Sequence, residues 1–266
     1  MLPIDRLIDI AREAGDEILR CRDHLNNDVS TKADGTPVTL ADVRADALIR
    51  RKLQALSSLP MLSEESDLPA FTVRRHWGEY WMIDPLDGTR GYINGLDDFT
   101  VNIAFIQSHT PVLGVIYVPC MDCSYYAIQG EGAYRIQHAS GSFVKERISV
   151  LAHPIEELRI LTGHFHNPQS IAPLVNRYPR LQVRRQNSSL KFCKIAQGDA
   201  DLYIRRGPIN EWDVAAGHCI LAEAGGVVVD FDRASLHYNA AESLSCYPFM
   251  ALSDVQLADS ILTLIT

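Results

Sequence analysis

Tyr80-Trp81-Met82-Ile83-Asp84-Pro85-Leu86-Asp87-Gly88-Thr89 is the stretch from which the rest of the chain can be read. An aromatic, β-branched run stops at two acids, which predicts a short buried strand leading into a loop. Pro85 has no N–H to give, so the strand is expected to end there. Asp84 and Asp87 then sit on one tight loop, close enough to share a cation. Gly88 permits a close backbone approach, and Thr89 is suited to open a helix whose free N–H groups favour an anion. One loop thus offers hard oxygen ligands beside a phosphate cradle. The same letters also spell an ordinary Asx-capped turn, so the decision falls to the other acids of the chain.

Length and charge narrow the classes. The chain has 266 residues, 47% hydrophobic, with a formal net charge of −8. That supports one large or two small domains with an ample core. No Lys/Arg run stands out, which argues against a nucleic acid polymer as partner. No apolar run approaches the length of a membrane span, and the first residues carry early acids and no signal-peptide core, so a cytoplasmic protein is expected. Six cysteines are present and are read as reduced thiols. Cys120 and Cys123 form a CxxC after a strand-like run rather than at a helix start, and no further Cys/His pair supports zinc; they are read as two turn cysteines.

In chain order, Ile4, Leu7, Ile8, Ala11, Ala14, Ile18 and Cys21 repeat at helical spacing. Lys32 to Pro37 is a turn-rich connection. Thr39 caps a second helix with Asp42 at its third position, a capping box, and with Val43, Ala47 and Leu48 on its apolar face. Leu59 to Leu62 is a short strand leading to Ser63-Glu64-Glu65-Ser66. If this strand and the next end at one edge, Glu64 or Glu65 comes beside Asp84 and Asp87. The polar segment from Leu68 to Gly78 is expected to be a flap. Strands from Phe99 to Ile136, turned at His109-Thr110-Pro111, form an antiparallel meander. Residues 1–150 therefore read as an α+β half.

Residues 151–266 alternate as an α/β half: strands at 158–162, 182–185, 200–205 and 227–231, and helices at 170–178, 188–196 and 214–224. Ser188 and Asp213 are read as helix starts. No linker divides the halves, so one compact unit is expected. Asp213 reads first as an N-cap; at a helix start facing the central crevice it also suits a metal ligand. Glu64, Asp84, Asp87, Asp213 and the Leu86 carbonyl then form an all-oxygen set, which points to Mg²⁺ rather than Zn²⁺. Such a cluster repels itself unless cations neutralise it, and a pair of Mg²⁺ ions suits displacement at phosphorus.

With these residues in place the chain resembles the lithium-sensitive, Mg²⁺-dependent phosphatase superfamily of inositol monophosphatase and fructose-1,6-bisphosphatase. The marks are Ser63-Glu64-Glu65-Ser66, Trp81 through Asp84-Pro85-Leu86-Asp87-Gly88-Thr89, and Trp212-Asp213-Val214-Ala215-Ala216-Gly217 with Gly225-Gly226 downstream. Lys32 to Asp42, Phe99 to Ala104, Ser188 to Cys193 and Arg206 to His218 are most similar to its 3′(2′),5′-bisphosphate nucleotidase branch. The resemblance implies a five-layer αβαβα sandwich with the site between the halves. It implies one Mg²⁺ on Glu64, Asp84 and the Leu86 carbonyl, and a second on Asp84, Asp87 and Asp213. It further implies a water activated by Glu64 and Thr89, with Asp42 orienting the Thr89 hydroxyl, and phosphate oxygens held by the Gly88 and Thr89 N–H groups. The implied substrate is adenosine 3′,5′-bisphosphate, cut to AMP and phosphate as a by-product of sulfate assimilation. Some members of the branch associate peripherally with the cytoplasmic face of the inner membrane, though no anchor is visible here.

Three departures from the branch pattern bear on substrate. Lys-Glu-Phe after Asp-Gly-Thr is replaced by Arg90-Gly91-Tyr92, the Gly before Ser-Ser-Leu-Lys by Asn187, and a Pro by Ile204. Other readings stay open: inositol monophosphate or fructose 1,6-bisphosphate as substrate, a non-catalytic metal or nucleotide binder, and a thiol redox protein resting on Cys120 and Cys123. Lys191 and Arg205 are candidate nucleotide contacts or solvated cations; His164 and His166 are candidate pocket residues or polar loop. Oligomeric state and metal count are not set by the sequence.

Overall fold

A computed structural model describes residues 3–23, 29–32, 35–139, 142–165, 171–246 and 248–265. His166, Ser170, Ala33 and Asp34 lie outside the described residues. The chain begins with α1 (Ile4–Asp23), a short hairpin of β1 (Ser30–Thr31) and β2 (Pro37–Val38), and α2 (Leu40–Leu56). Then come β3 (Met61–Ser63), α3 (Phe71–Arg74), β4 (Glu79–Asp87) and α4 (Thr89–Ile93). The meander is β5 (Thr100–Gln107), β6 (Thr110–Val118), β7 (Cys123–Ile128), β8 (Gly132–Ala139) and β9 (Ser142–Ile148). The remainder is β10 (Arg159–Thr162), α5 (Ala172–Arg177), β11 (Gln182–Arg185), α6 (Leu190–Ala196), β12 (Leu202–Arg205), α7 (Glu211–Glu223), β13 (Val227–Asp230), β14 (Phe249–Leu252) and α8 (Leu257–Ile265).

Strands β3 to β9 lie side by side in chain order as a seven-stranded sheet. The second sheet has five strands in the order β11-β10-β12-β14-β13. Three apolar cores separate the layers. One joins α1 and α2 to the outer face of the large sheet through Leu7, Ala11, Ile18, Ile49, Trp81 and Ile103. The central core joins the inner face of that sheet to α6, α7 and the second sheet through Tyr80, Ile116, Phe192, Ala216 and Phe249. The third buries α5 and α8 against the far face through Leu174, Leu202, Met250 and Ile261. The result is the expected five-layer αβαβα sandwich. The large sheet comes from residues 61–148 and the small one from residues 159–252.

Several local expectations change. Pro85 does not end its strand: β4 runs to Asp87, and Asp84 pairs with Asn102 while Asp87 pairs with Thr100. One extra residue in β4 makes a bulge, which lets a proline sit in a sheet without a missing ladder bond. Helix α2 is turned away from the expected face. Ala41, Asp42, Ala45, Ile49 and Leu53 are buried, whereas Val43 is 52% exposed and Ala47 also faces out. The reason lies in two inward acids: Asp42 takes up Thr39 and Thr89, and Asp46 accepts Ser63 Oγ at 2.5 Å. These acids lie alongside the buried i, i+4 row of Ala41, Ala45, Ile49 and Leu53 and turn that row, rather than Val43 and Ala47, to the core.

The segment before β4 is no flap, because α3 carries Arg74 inward, where its guanidinium holds Asn239 Oδ1 and the Ala241 and Glu242 carbonyls. The β5–β6 turn is Ser108-His109, both at positive φ, which suits a two-residue hairpin; Thr110 and Pro111 already belong to β6. Asn210 precedes α7, so Asp213 is its third residue rather than its cap. Ser189, not Ser188, precedes α6. The β14 strand and α8 helix had no counterpart in the sequence reading.

Candidate active site

The site is built where β3 ends beside the middle of β4. They pair in parallel, Ser63 opposite Ile83, and the Glu64 N–H donates to the Ile83 carbonyl at 3.2 Å. Glu64 is thereby placed next to Asp84. From the other side α7 brings Asp213, and oxygens of Glu64, Asp84 and Asp213 all lie within 4.8 Å of one another. Asp84 is fully buried. Its Oδ1 accepts the Leu86 N–H at 3.1 Å, while its Oδ2 is buried with no hydrogen-bond partner. A buried carboxylate oxygen without a donor is costly. Burial pushes the Asp84 carboxyl well up, and the nearby Glu64, Asp87 and Asp213 charges add to it. Asp213 is raised by burial and by Asp87 and Glu64, even as the Asn210 N–H donates to its Oδ2 at 2.9 Å.

Asp87 stands across the same space, held differently. Its Oδ2 accepts the Ser189 N–H at the start of α6 and the Asn102 side-chain amide at 3.4 Å. Ser189 Oγ in turn donates to Asn102 Oδ1 at 2.7 Å and meets Thr100 Oγ1 at 2.7 Å. Burial raises Asp87, opposed by the Lys191 ammonium and the Ser189 N–H. Thr100 and Asn102 on the apolar strand β5, and Ser189 at the start of α6, carry no local sequence signal of a shared network.

Thr89 opens α4 after Gly88, whose φ of 97° is a left-handed conformation that favours glycine. The Thr89 hydroxyl lies 2.9 Å from Asp42 Oδ1 and 3.1 Å from the Leu86 carbonyl oxygen. Asp42 also accepts the Thr39 N–H at 2.8 Å, so the capping box and the contact to Thr89 occupy one carboxylate. Burial raises Asp42, against the lowering by its Thr39 and Thr89 bonds. Lys32, on the β1–β2 hairpin, donates to Glu64 at 2.8 Å and to Glu65 at 2.5 Å. Lys32 stands in a turn-rich connection, where a lysine carries no local signal of its partners.

A cleft of about 140 Å³ opens beside the acids, lined by Asp87, Ser188, Lys191, Tyr203, Arg205 and Asp213 among others. Lys191 is 5% exposed. It donates to the Ser188 carbonyl at 2.6 Å and stands 4.8 Å over the Tyr203 ring, so it is no solvated surface cation. Burial lowers its pKa to about 8, with Asp87 opposing. The Arg205 guanidinium bonds the Gly207 and Pro208 carbonyls. His164 faces Asp98 at 3.2 Å rather than the acids. The six cysteines are free thiols; burial pushes Cys120 up to about 11, which opposes thiolate chemistry.

An all-oxygen acidic cluster with an orphaned buried carboxylate oxygen fits a hard divalent cation. With the sandwich and its seam cleft, it defines a layered αβαβα protein of the metal-dependent phosphoesterase class. The family profile described as "Inositol monophosphatase family" matches residues 3–253. The 3′(2′),5′-bisphosphate nucleotidase CysQ of Escherichia coli K12 is 39% identical over 242 residues, covering 90% of this chain and 95% of that protein. That of Aggregatibacter actinomycetemcomitans is 40% identical, with 89% and 87% covered. In three dimensions the chain is similar to CysQ from Bacteroides thetaiotaomicron, a bacterial member of the inositol monophosphatase family, with a TM-score of 0.80, 35% identity and 93% and 95% of the two chains covered. An inositol monophosphatase of Thermotoga maritima also superposes with a TM-score of 0.80, at 26% identity over 98% and 96% of the chains. The chain belongs to the inositol monophosphatase family. Among the described residues no helix is long and apolar enough to cross a membrane.

Proposed function

We propose that this protein is a Mg²⁺-dependent 3′(2′),5′-bisphosphate nucleotidase that converts adenosine 3′,5′-bisphosphate to AMP and phosphate, a by-product clearance step of sulfate assimilation. The observation that carries the reading is the orphaned Asp84 Oδ2 inside the Glu64–Asp84–Asp213 cluster, set beside the Thr89–Asp42 pair. The similar CysQ proteins, 3′(2′),5′-bisphosphate nucleotidases, support a nucleotide bisphosphate as the substrate class. Glu64, Asp84 and the Leu86 carbonyl would hold one Mg²⁺, and Asp84, Asp87 and Asp213 a second. Bound there, the cations supply charge neutralisation and Lewis-acid polarisation for in-line displacement at phosphorus.

The chain's own residues do the rest. Thr89 Oγ1 gives its proton toward Asp42 Oδ1, which leaves its lone pair free to accept a proton from the attacking water. Asp42, raised by burial, is the better proton acceptor for it. Glu64 takes part as the second acceptor at that water. The Gly88 and Thr89 N–H groups receive the phosphoryl oxygens. Lys191 and Arg205 line the cleft and favour an anionic nucleotide. As the water oxygen forms its bond to phosphorus, the bond to the ribose 3′-oxygen breaks, and that oxygen takes a proton from solvent and leaves as the hydroxyl of AMP.

The test is phosphate release from adenosine 3′,5′-bisphosphate, inositol 1-phosphate and fructose 1,6-bisphosphate, in Mg²⁺ and in EDTA. Mg²⁺-dependent release confined mainly to the nucleotide is expected. A preference for either sugar phosphate would overturn the substrate while keeping the reaction. Release that persists in EDTA would overturn the mechanism.

A further inference from the structure

On the cleft wall, two residues from distant parts of the chain share one space. Asn187 lines the cleft beside Asp87, Lys191 and Asp213. Its backbone N–H is tied to Asp98 Oδ2 at 2.7 Å, so its stem is fixed. Its side chain reaches toward the loop of Gly88 and Thr89. A Cβ on Gly91 would lie 2.2 Å from Asn187 Nδ2, and one on Gly88 would lie 3.4 Å from it. Gly91 is not among the residues of positive φ, so its backbone does not demand glycine. Inside α4, glycine costs roughly 1 kcal/mol relative to alanine. What glycine provides there is room, and the Asn187 amide fills it. That amide is half-buried and makes no side-chain hydrogen bond among the described residues. A half-exposed amide with open donors next to a phosphate-type loop can exchange solvent for a ligand oxygen.

We propose that Asn187 is a substrate-binding residue: its side-chain N–H donates to an oxygen of the phosphate group seated at the Asp87–Thr89 loop, and Gly91 is the space in which that amide stands. The ligand class is a phosphate monoester dianion or inorganic phosphate. The two departures at 91 and 187 are then one feature, since a side chain at 91 and the amide of Asn187 compete for the same volume. This inference rests on the phosphatase reading above for its substrate.

The experiment compares Asn187→Asp, Asn187→Ala, Gly91→Ala and the Asn187→Ala/Gly91→Ala double variant. For each, KM and kcat for adenosine 3′,5′-bisphosphate are measured in Mg²⁺, with the Kd of inorganic phosphate by calorimetry. Asn187→Asp keeps the shape and exchanges the donor for a negative charge. It is expected to raise KM and the phosphate Kd by about tenfold or more, as for loss of a hydrogen bond to a charged group. Gly91→Ala, by displacing the amide, is expected to reproduce the Asn187→Ala effect, and the double variant to add nothing further. A wild-type KM and phosphate Kd in Asn187→Asp would overturn the proposal and leave Asn187 as a space filler. Multiplying effects in the double variant would overturn the link to Gly91. If the wild-type protein binds phosphate but does not turn over the nucleotide, the substrate reading fails while the phosphate Kd still decides the role of Asn187. Absence of phosphate binding by the wild-type protein overturns both.

Discussion

Thr89 is a single hydroxyl with one donor proton and two acceptors within reach, Asp42 Oδ1 and the Leu86 carbonyl. Thr89→Val keeps the volume and removes the proton path. We expect kcat to fall by about 10²- to 10³-fold with a small change in KM, measured by steady-state phosphate release. Asp84 tests the opposite balance. Its carboxyl is buried among Glu64, Asp87 and Asp213 without a donor at Oδ2, so Asp84→Asn should abolish phosphate release yet raise the melting temperature in EDTA, by roughly 3 °C for about 1 kcal/mol. A melting temperature that falls would show that the acids are not in mutual conflict. His218 gives a signed pH effect. Burial, followed by His237, lowers its pKa to about 4. The folded state therefore binds fewer protons, and the stability His218 contributes is full above about 6.5 and is lost as pH falls toward 4. His218→Gln should flatten the melting curve's pH dependence across that window. Residues of this kind differ in how visible they are from sequence. Glu64, Asp84 and Asp87 stand out because acids at strand ends break an apolar pattern. Lys191 does not, because a cation in a short helix looks solvated until the Tyr203 ring and the Ser188 carbonyl are seen around it.

At the level of elements, α2 shows why a correct helix can be turned the wrong way. Its start was legible in Thr39 and Asp42, since a capping box is a local four-residue pattern. Its buried face was not, because Asp42 and Asp46 look inward to partners 47 and 17 residues away in sequence. Periodicity scores hydrophobicity and reads such acids as outward. The same cap makes a prediction. Thr39→Ala should cost about 1 kcal/mol in chemical denaturation and also lower kcat, because Asp42 loses the Thr39 hydroxyl bond that helps to aim it while keeping the backbone N–H bond; Thr39→Ser should restore both. Strand β4 is the complementary lesson. Pro85 rightly signals a break in the ladder, but a bulge absorbs it, and a bulge depends on the neighbouring strand β5.

Across the whole molecule, α7 is the packing centre, with Ala216 set close against the large sheet. A Cβ on Gly114 of β6 would lie 2.5 Å from the Ala216 carbonyl oxygen. Gly114→Ala should push α7 off the sheet, at about 1–3 kcal/mol, and weaken Mg²⁺ binding through Asp213, as read by calorimetry. Because one apolar core joins both sheets through α7, residues 1–150 and 151–266 are proposed to unfold in one transition, which coincident fluorescence and circular dichroism melts would test. Mg²⁺ at about 100 times its Kd should raise stability by about 2.7 kcal/mol, with a smaller gain at acid pH where the ligands are protonated. The alternation of helix and strand made this layered plan readable. Strand β14 escaped because four apolar residues after a loop carry too little periodicity, and only their pairing with β12 and β13 defines them.

The hairpin that brings Lys32 onto Glu64 and Glu65 gives the acidic cluster an internal counter-ion. We propose that a cation binding at Glu64 would exchange with this ammonium, so that loading would depend partly on how quickly the hairpin lets go. Lys32→Met should speed loading while lowering the stability of the metal-free protein, and stopped-flow mixing with Mg²⁺ would separate these two effects.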